Sequence, residues 1–167
     1  MKELFLLRHA KSSWDDPTLS DFDRPLNERG RRDAPRMGEH LAEMGIEPDL
    51  IVASPAKRAK KTAGIVAEKL GYDPGRIRWN ESVYEASPQT LLYLVCSLPE
   101  DAKRVMLVGH NPGFTMLANM LGDVAIDNIP TAGVVGIAFD AKSWDEACRM
   151  KGHTLFFEYP KKLADDR

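Results

Sequence analysis

Alternation of short apolar runs with amphipathic segments predicts an α/β protein, a three-layer sandwich whose largely parallel central sheet is flanked by helices. Three observations carry this. Leu4–Leu7, Leu50–Ala53 and Arg104–Val108 are apolar bursts of strand length. The stretches between them repeat apolar residues at helical spacing. Internal repeats, linkers and low-complexity stretches are missing from the chain of 167 residues, which predicts a single domain over 1–167.

The elements follow in order. Leu4–Leu7 reads as a buried strand. Residues 27–45 read as a helix with Ala34, Met37, Leu41 and Met44 on one face, Asn27 as N-cap and Gly45 as stop. Pro35 within it predicts a kink, or a restart near Asp33. Leu50–Ala53 is the second strand. Ser54-Pro55 is expected to open the next helix, with Ala59, Ala63, Val66 and Leu70 buried and Gly71 ending it. Residues 76–84 read as extended, and Ser87-Pro88 opens a helix carrying Leu91, Leu94, Val95 and Leu98. Arg104–Val108 is a strand, and Asn111-Pro112 opens a helix ending near Gly122. Gly133–Phe139 and Leu155–Tyr159 close the sheet, and residues 161–167 are polar and expected to fray.

Composition narrows the classes. Hydrophobic residues make up 43% and charged residues 29%, so disorder is not expected. With 23 basic and 25 acidic residues, a net charge of −2, nothing marks a nucleic-acid or membrane binder. The apolar stretch after Met1 is too short for a signal peptide or a membrane span. Cys96 and Cys148 cannot make a disulfide framework and read as small buried hydrophobes, so a reducing cytoplasm is the expected compartment.

In a parallel sheet, sites form beyond the carboxyl ends of the strands. That rule selects 8–14, 54–58, 82–87 and 109–113. These segments hold Arg8, His9, Ser54, Arg58, Glu85, His110 and Asn111, with Glu81 just before the third. Two arginines and two histidines at one sheet edge suit a dianionic phosphoryl group, because guanidinium donates in parallel pairs. Helix N-termini at Ser54-Pro55 and Asn111-Pro112 would add backbone N–H groups. A neutral His9, its second nitrogen held by a backbone carbonyl, could attack phosphorus, while His110 and the arginines stabilise the transferring oxygens. A carboxylic acid could protonate the leaving group. The remaining histidines, His40 and His153, read as surface residues, and Lys57, Lys60 and Lys61 as a solvated helix face.

These residues match a known family. Leu7-Arg8-His9-Ala10-Lys11-Ser12-Ser13-Trp14 resembles the Arg-His-Gly-Glu-Ser-x-Trp opening of the histidine phosphatase superfamily, which includes the phosphoglycerate mutases. Arg24-Pro25-Leu26-Asn27-Glu28-Arg29-Gly30 resembles its Pro-Leu-Thr-x-x-Gly element. Ser54-Pro55 with Arg58-Ala59 and Thr62 resembles its Ser-Pro-x-x-Arg-Ala-x-x-Thr motif, and Val108-Gly109-His110-Asn111 its second histidine motif. The short length and Thr131-Ala132-Gly133 resemble the SixA-type phosphohistidine phosphatases.

The resemblance implies a phosphoglycerate mutase-like fold with His9 as nucleophile and Arg8, Arg58 and His110 completing the phosphate pocket. Glu85 aligns best as the proton donor, with Glu81 as fallback; Ser12, Trp14, Arg24 and Asn111 are candidate phosphate or substrate contacts. It implies a metal-independent phosphatase without cofactor, acting on protein phosphohistidine, for example on a histidine phosphotransfer domain. Small phosphate esters or phosphoramidates are the alternative substrates, and a non-catalytic phospho-binding module the alternative role. Hydrolysis is favoured over mutase transfer because no insertion could form a lid or cap, and a monomer is the default. Two departures stand out: Ala10 replaces Gly, and Lys11 replaces Glu and adds positive charge near the site, which would favour an anionic or acidic partner.

Overall fold

The computed structural model describes residues 1–165. Six strands form one sheet in the order β3-β2-β4-β1-β5-β6. They are β1 (Lys2–Arg8), β2 (Leu50–Ala53), β3 (Arg78–Trp79), β4 (Arg104–Gly109), β5 (Val134–Phe139) and β6 (His153–Glu158). The four strands from β3 to β1 run parallel, β5 runs antiparallel to β1, and β6 runs antiparallel to β5. The sheet is therefore mixed and mostly parallel, as expected.

Alternate side chains of each central strand feed two cores. Leu4, Leu6, Val105 and Leu107 pack on one face with Leu91, Phe114, Leu117 and Trp144. Phe5, Leu7, Met106 and Val108 pack on the other with Met37, Leu41, Ala63 and Val66. Helices α3 (Pro88–Cys96), α4 (Gly113–Leu121) and α5 (Trp144–Ala147) thus cover the first face, and α1 (Glu28–Glu43) and α2 (Lys57–Lys69) the second, giving the predicted three layers.

Several local expectations are corrected. Helix α1 runs unbroken through Pro35, capped by Asn27 accepting from Gly30 N–H, with no restart at Asp33. Ser54-Pro55 does not open α2, which starts at Lys57 after a cap position at Ala56; the Ser54 hydroxyl is engaged elsewhere. Residues 76–84 are extended only at β3, between 3-10 turns at Pro74–Arg76 and Glu81–Val83. The tail, expected to fray over 161–167, forms α6 (Pro160–Asp165), and residues 166–167 lie outside the described residues.

The cysteines form a disulfide, Cys96–Cys148, with Cα atoms 5.4 Å apart. It ties the end of α3 to the end of α5. The reading of both as buried thiols is overturned, and with it the argument from cysteine usage to a reducing compartment. The pairing escaped notice because the partners are 52 residues apart and one sits on α5, a single turn that no periodicity announces. No helix among the described residues is long and apolar enough to cross a membrane.

Candidate active site

The strand register brings the site together. Arg8 pairs with Gly109, and Val108 with Ala53, so β1, β2 and β4 end at one edge. His9, Ser54 and His110 follow those ends directly. His9 N–H donates to Gly109 O, and Ser54 N–H to Val108 O, which extends the ladder by one residue into the site. The floor is therefore as rigid as the sheet.

His9 and His110 face each other with ring centroids 5.2 Å apart. His9 Nδ1 lies 2.7 Å from Ala10 O. A carbonyl only accepts, so Nδ1 carries the proton and Nε2 is left with its lone pair. Burial, then neighbouring His110, Arg58 and Arg8, push the His9 imidazole down to about 3, against the Ala10 bond that raises it. His9 is neutral at pH 7 and able to act as a nucleophile.

Ala10 takes the place of glycine without a left-handed backbone, and its N–H donates to Thr62 Oγ1 at 3.0 Å. The strain lies instead at Ala132, with φ of 59°, whose N–H donates to both Arg8 O and His9 O. Gly30 is required nearby, since a Cβ there would overlap the Lys11 carbonyl oxygen.

His110 Nε2 lies 2.8 Å from Ser54 Oγ, which also accepts Ala56 N–H. With the Ser54 hydroxyl donating to Nε2, His110 carries its proton on Nδ1. Burial and then Arg58 hold this imidazole down at about 4. Among the described residues, His110 Nδ1 and Arg8 Nε are buried without a hydrogen-bond partner. With the proton on His110 Nδ1, an anion between them would accept from both this N–H and Arg8 Nε–H.

Arg8 is oriented by donating to Ile129 O at 2.9 Å. Asn111 holds that same carbonyl: its Nδ2 donates to Ile129 O and Asn128 Oδ1, while its Oδ1 accepts from Thr115 N–H and Oγ1–H. Asn111 is thus a brace for the Arg8 support, with its amide fully used inside the protein. Arg58 is buried in the first turn of α2, while Lys57, Lys60 and Lys61 are exposed, as expected.

The segment 12–24 covers one side. Arg24 donates to Ser13 O at 3.0 Å and to Ser12 Oγ at 2.6 Å, and its guanidinium stacks 3.2 Å over the Trp14 ring. Ser12 and Arg24 therefore hold the loop that follows the nucleophile, and Trp14 stays 73% exposed at the rim. Glu85 and Glu81 are both exposed; Glu85 sits at φ of 52° in the turn before α3, and its charge acts on the Tyr84 hydroxyl. No hydrogen bond connects either carboxylate to His9 or His110. Of the remaining histidines, His153 is exposed beside Asp123, whereas His40 is partly buried and lies 3.0 Å from Glu158, tying α1 to β6.

Sequence reasoning missed Asp21 and Tyr84. Asp21 takes Arg58 on its backbone oxygen and on Oδ2, Arg24 on Oδ1, and the Tyr84 hydroxyl on Oδ2. The Tyr84 ring also meets His110 edge-on at 5.4 Å. The signal available was Asp21 three residues before Arg24, a spacing that a tight turn brings together, but nothing in the chain linked it to Arg58.

Comparison with known proteins agrees with this geometry. The family model of the histidine phosphatase superfamily, branch 1, matches residues 4–85. An uncharacterised chloroplast protein of Arabidopsis thaliana is 33% identical over 159 residues, 90% of this chain and 72% of that protein. A 2,3-bisphosphoglycerate-dependent phosphoglycerate mutase of an Arthrobacter strain is 40% identical over 90 residues, 50% of this chain but 36% of the mutase. Among solved structures, a protein of Agrobacterium tumefaciens assigned as phosphohistidine phosphatase SixA superposes with a TM-score of 0.80 at 32% identity, covering 95% of this chain and 98% of that one. The protein histidine phosphatase SixA complexed with tungstate shares the fold, with a TM-score of 0.81 at 20% identity over 96% and 99% of the two chains.

Proposed function

This chain belongs to the histidine phosphatase superfamily, branch 1, as a phosphatase of SixA-type fold, and we propose that it removes the phosphoryl group from a protein phosphohistidine through a phosphohistidine formed on its own His9. The observation that carries this reading is the His9 tautomer: Nδ1–H is tied to Ala10 O, which leaves Nε2 as the free nucleophile beside Arg8, Arg58 and His110.

The reaction proceeds in two steps. The Nε2 lone pair attacks phosphorus, and the bond from phosphorus to the substrate nitrogen breaks, its electron pair leaving with the substrate imidazole. Arg8, Arg58 and the His110 Nδ1–H meet the charge on the equatorial oxygens. Water then attacks the phosphohistidine, loses a proton, and releases inorganic phosphate and neutral His9. Imidazole leaves readily once protonated, so the exposed Glu85, with Glu81 as fallback, is needed less than for an alkyl ester. Guanidinium supplies the positive charge in this scheme and the neutral His110 imidazole only a hydrogen bond, so turnover is expected to persist in chelator.

A protein substrate fits the rim. The segment that follows the nucleophile exposes Lys11 and Trp14, a cation and an aromatic face open to a protein partner. The test is turnover on a phosphohistidine-bearing phosphotransfer domain against a panel of sugar phosphates, aryl phosphates and phosphoramidate. Faster kcat/KM on the protein, lost in His9→Ala, is expected. Preference for a small ester would replace the substrate while keeping the mechanism. Binding of phosphate without turnover on any member would reduce the protein to a binding module.

A further inference from the structure

Among the described residues, Asp21 supplies the carboxylate that bonds Arg58. Its backbone oxygen takes Arg58 Nη1 at 2.6 Å and its Oδ2 takes Arg58 Nη2 at 3.0 Å, a two-point grip that fixes the guanidinium plane. Oδ1 takes Arg24 Nη1 at 3.0 Å, and Oδ2 accepts from the Tyr84 hydroxyl at 2.6 Å. Both arginine side chains are buried, while that of Asp21 is 40% exposed. A short 3-10 turn, Asp21–Asp23, carries it, and the neighbouring Phe22 meets Tyr84 edge-on at 5.2 Å. One side chain therefore joins α2, the loop after the nucleophile, and the turn that packs on His110.

The grip on Arg58 is the geometry a phosphoryl group would itself use. Because His9 and His110 are neutral, the formal positive charge acting on them comes from Arg58 and Arg8, and Arg24 adds a third guanidinium on the far side of Asp21. Such a site without a counter-anion would hold product phosphate tightly, and tight product binding slows turnover. The Tyr84 bond, then the two arginines, keep Asp21 ionised, down at about 2, so it is a permanent negative charge and not a proton donor at neutral pH.

Resting on the phosphate site described above, we propose that Asp21 is a positioning residue with two effects: it sets the plane of Arg58 for the transferring phosphoryl group, and it acts as an internal counter-anion that weakens product phosphate and speeds its release. Removing its charge therefore trades release against affinity. A residue that only held the loop together would behave differently, since its loss would loosen Arg58 and weaken every anion.

The experiment is calorimetric titration of inorganic phosphate into the wild-type protein and into Asp21→Asn, Asp21→Ser, Asp21→Glu and Tyr84→Phe, with kcat and KM measured alongside. Asp21→Asn and Asp21→Ser are expected to bind phosphate on the order of tenfold more tightly than wild type, with kcat reduced and KM lowered. Asp21→Glu and Tyr84→Phe keep the charge and are expected to stay within about twofold in affinity. Unchanged or weaker phosphate binding in both neutral variants would overturn the proposal. Binding is read without turnover, so tighter binding in a protein inactive on every substrate would sustain this inference while refuting the phosphatase reading.

Discussion

The two sides of the phosphate site are built by different means. On the floor, Arg8, His9, Ser54 and His110 continue strands β1, β2 and β4, and backbone bonds into the sheet set their positions. On the cover, Ser12, Trp14, Asp21 and Arg24 sit on a segment whose regular structure is one 3-10 turn and an isolated bridge between Ser12 and Leu26. Ion pairs and side-chain bonds hold that segment, with Asp21 at their centre. The floor supplies the reacting groups and the cover supplies charge balance and orientation. Chemistry that tolerates little displacement rests on the sheet, while the part that must admit and release an anion rests on contacts an anion can compete with.

Perturbing each side sharpens that division. The largest effect is expected on the floor: Arg8→Ala should lower kcat by roughly 10²–10³-fold, since it removes a charged donor to the transferring oxygens, with little loss in thermal stability. A fall in melting temperature that accounts for the lost activity would show Arg8 to be structural. Where floor meets cover, Gly30→Ala should cost roughly 2–4 kcal/mol by denaturant titration, because its Cβ overlaps the Lys11 carbonyl oxygen and the backbone must move. A smaller loss with unchanged kcat would mean that the loop after the nucleophile adapts freely.

Away from both sides, reducing Cys96–Cys148 should remove roughly 2–4 kcal/mol of stability, since it opens a loop spanning 52 residues. Activity at 25 °C should hold, because the bridge joins α3 to α5 behind the site; loss of kcat on reduction would couple that face to the chemistry. On the cover, Arg24→Ala should cost about tenfold in kcat/KM through the freed Ser12–Trp14 loop, measured at fixed ionic strength.

The mildest test is pH. His9 and His110 are depressed in the folded state, to about 3 and about 4, so the unfolded chain binds protons first as pH falls below 6.5. Stability contributed by these groups is complete above pH 6.5 and is lost as pH drops through 4 toward 3. His9→Asn should flatten that slope; an unchanged slope would place the titrating groups elsewhere.

How much of this was legible in the sequence follows the same division. Apolar runs and the carboxyl-end rule placed Arg8, His9, Arg58 and His110 at one edge, because a strand's direction and register follow from local pattern. Ser54 was read as a helix cap, yet its hydroxyl serves His110; a cap signal and a site hydroxyl look alike in one dimension. Ser12, Arg24 and Asn111 were read as candidate phosphate or substrate contacts, with caps and packing as the alternative for Ser12 and Asn111; their hydrogen bonds to the loop and to the Arg8 support depend on which partner a polar side chain meets across the fold. Asp21, Tyr84 and the disulfide were missed for the same reason, since each pairing spans tens of residues with no periodicity to announce it.

The central claim is that His9 Nε2 is the atom that takes the phosphoryl group. It is tested most directly by rapid acid-free quenching with a labelled phosphoryl donor, followed by proteolysis and mass spectrometry under alkaline conditions. The account predicts one base-stable, acid-labile phosphoryl group on His9, attached at Nε2, absent from His9→Asn and accumulating faster than steady-state turnover. Steady-state hydrolysis with no label on His9, or with label on His110, would contradict it.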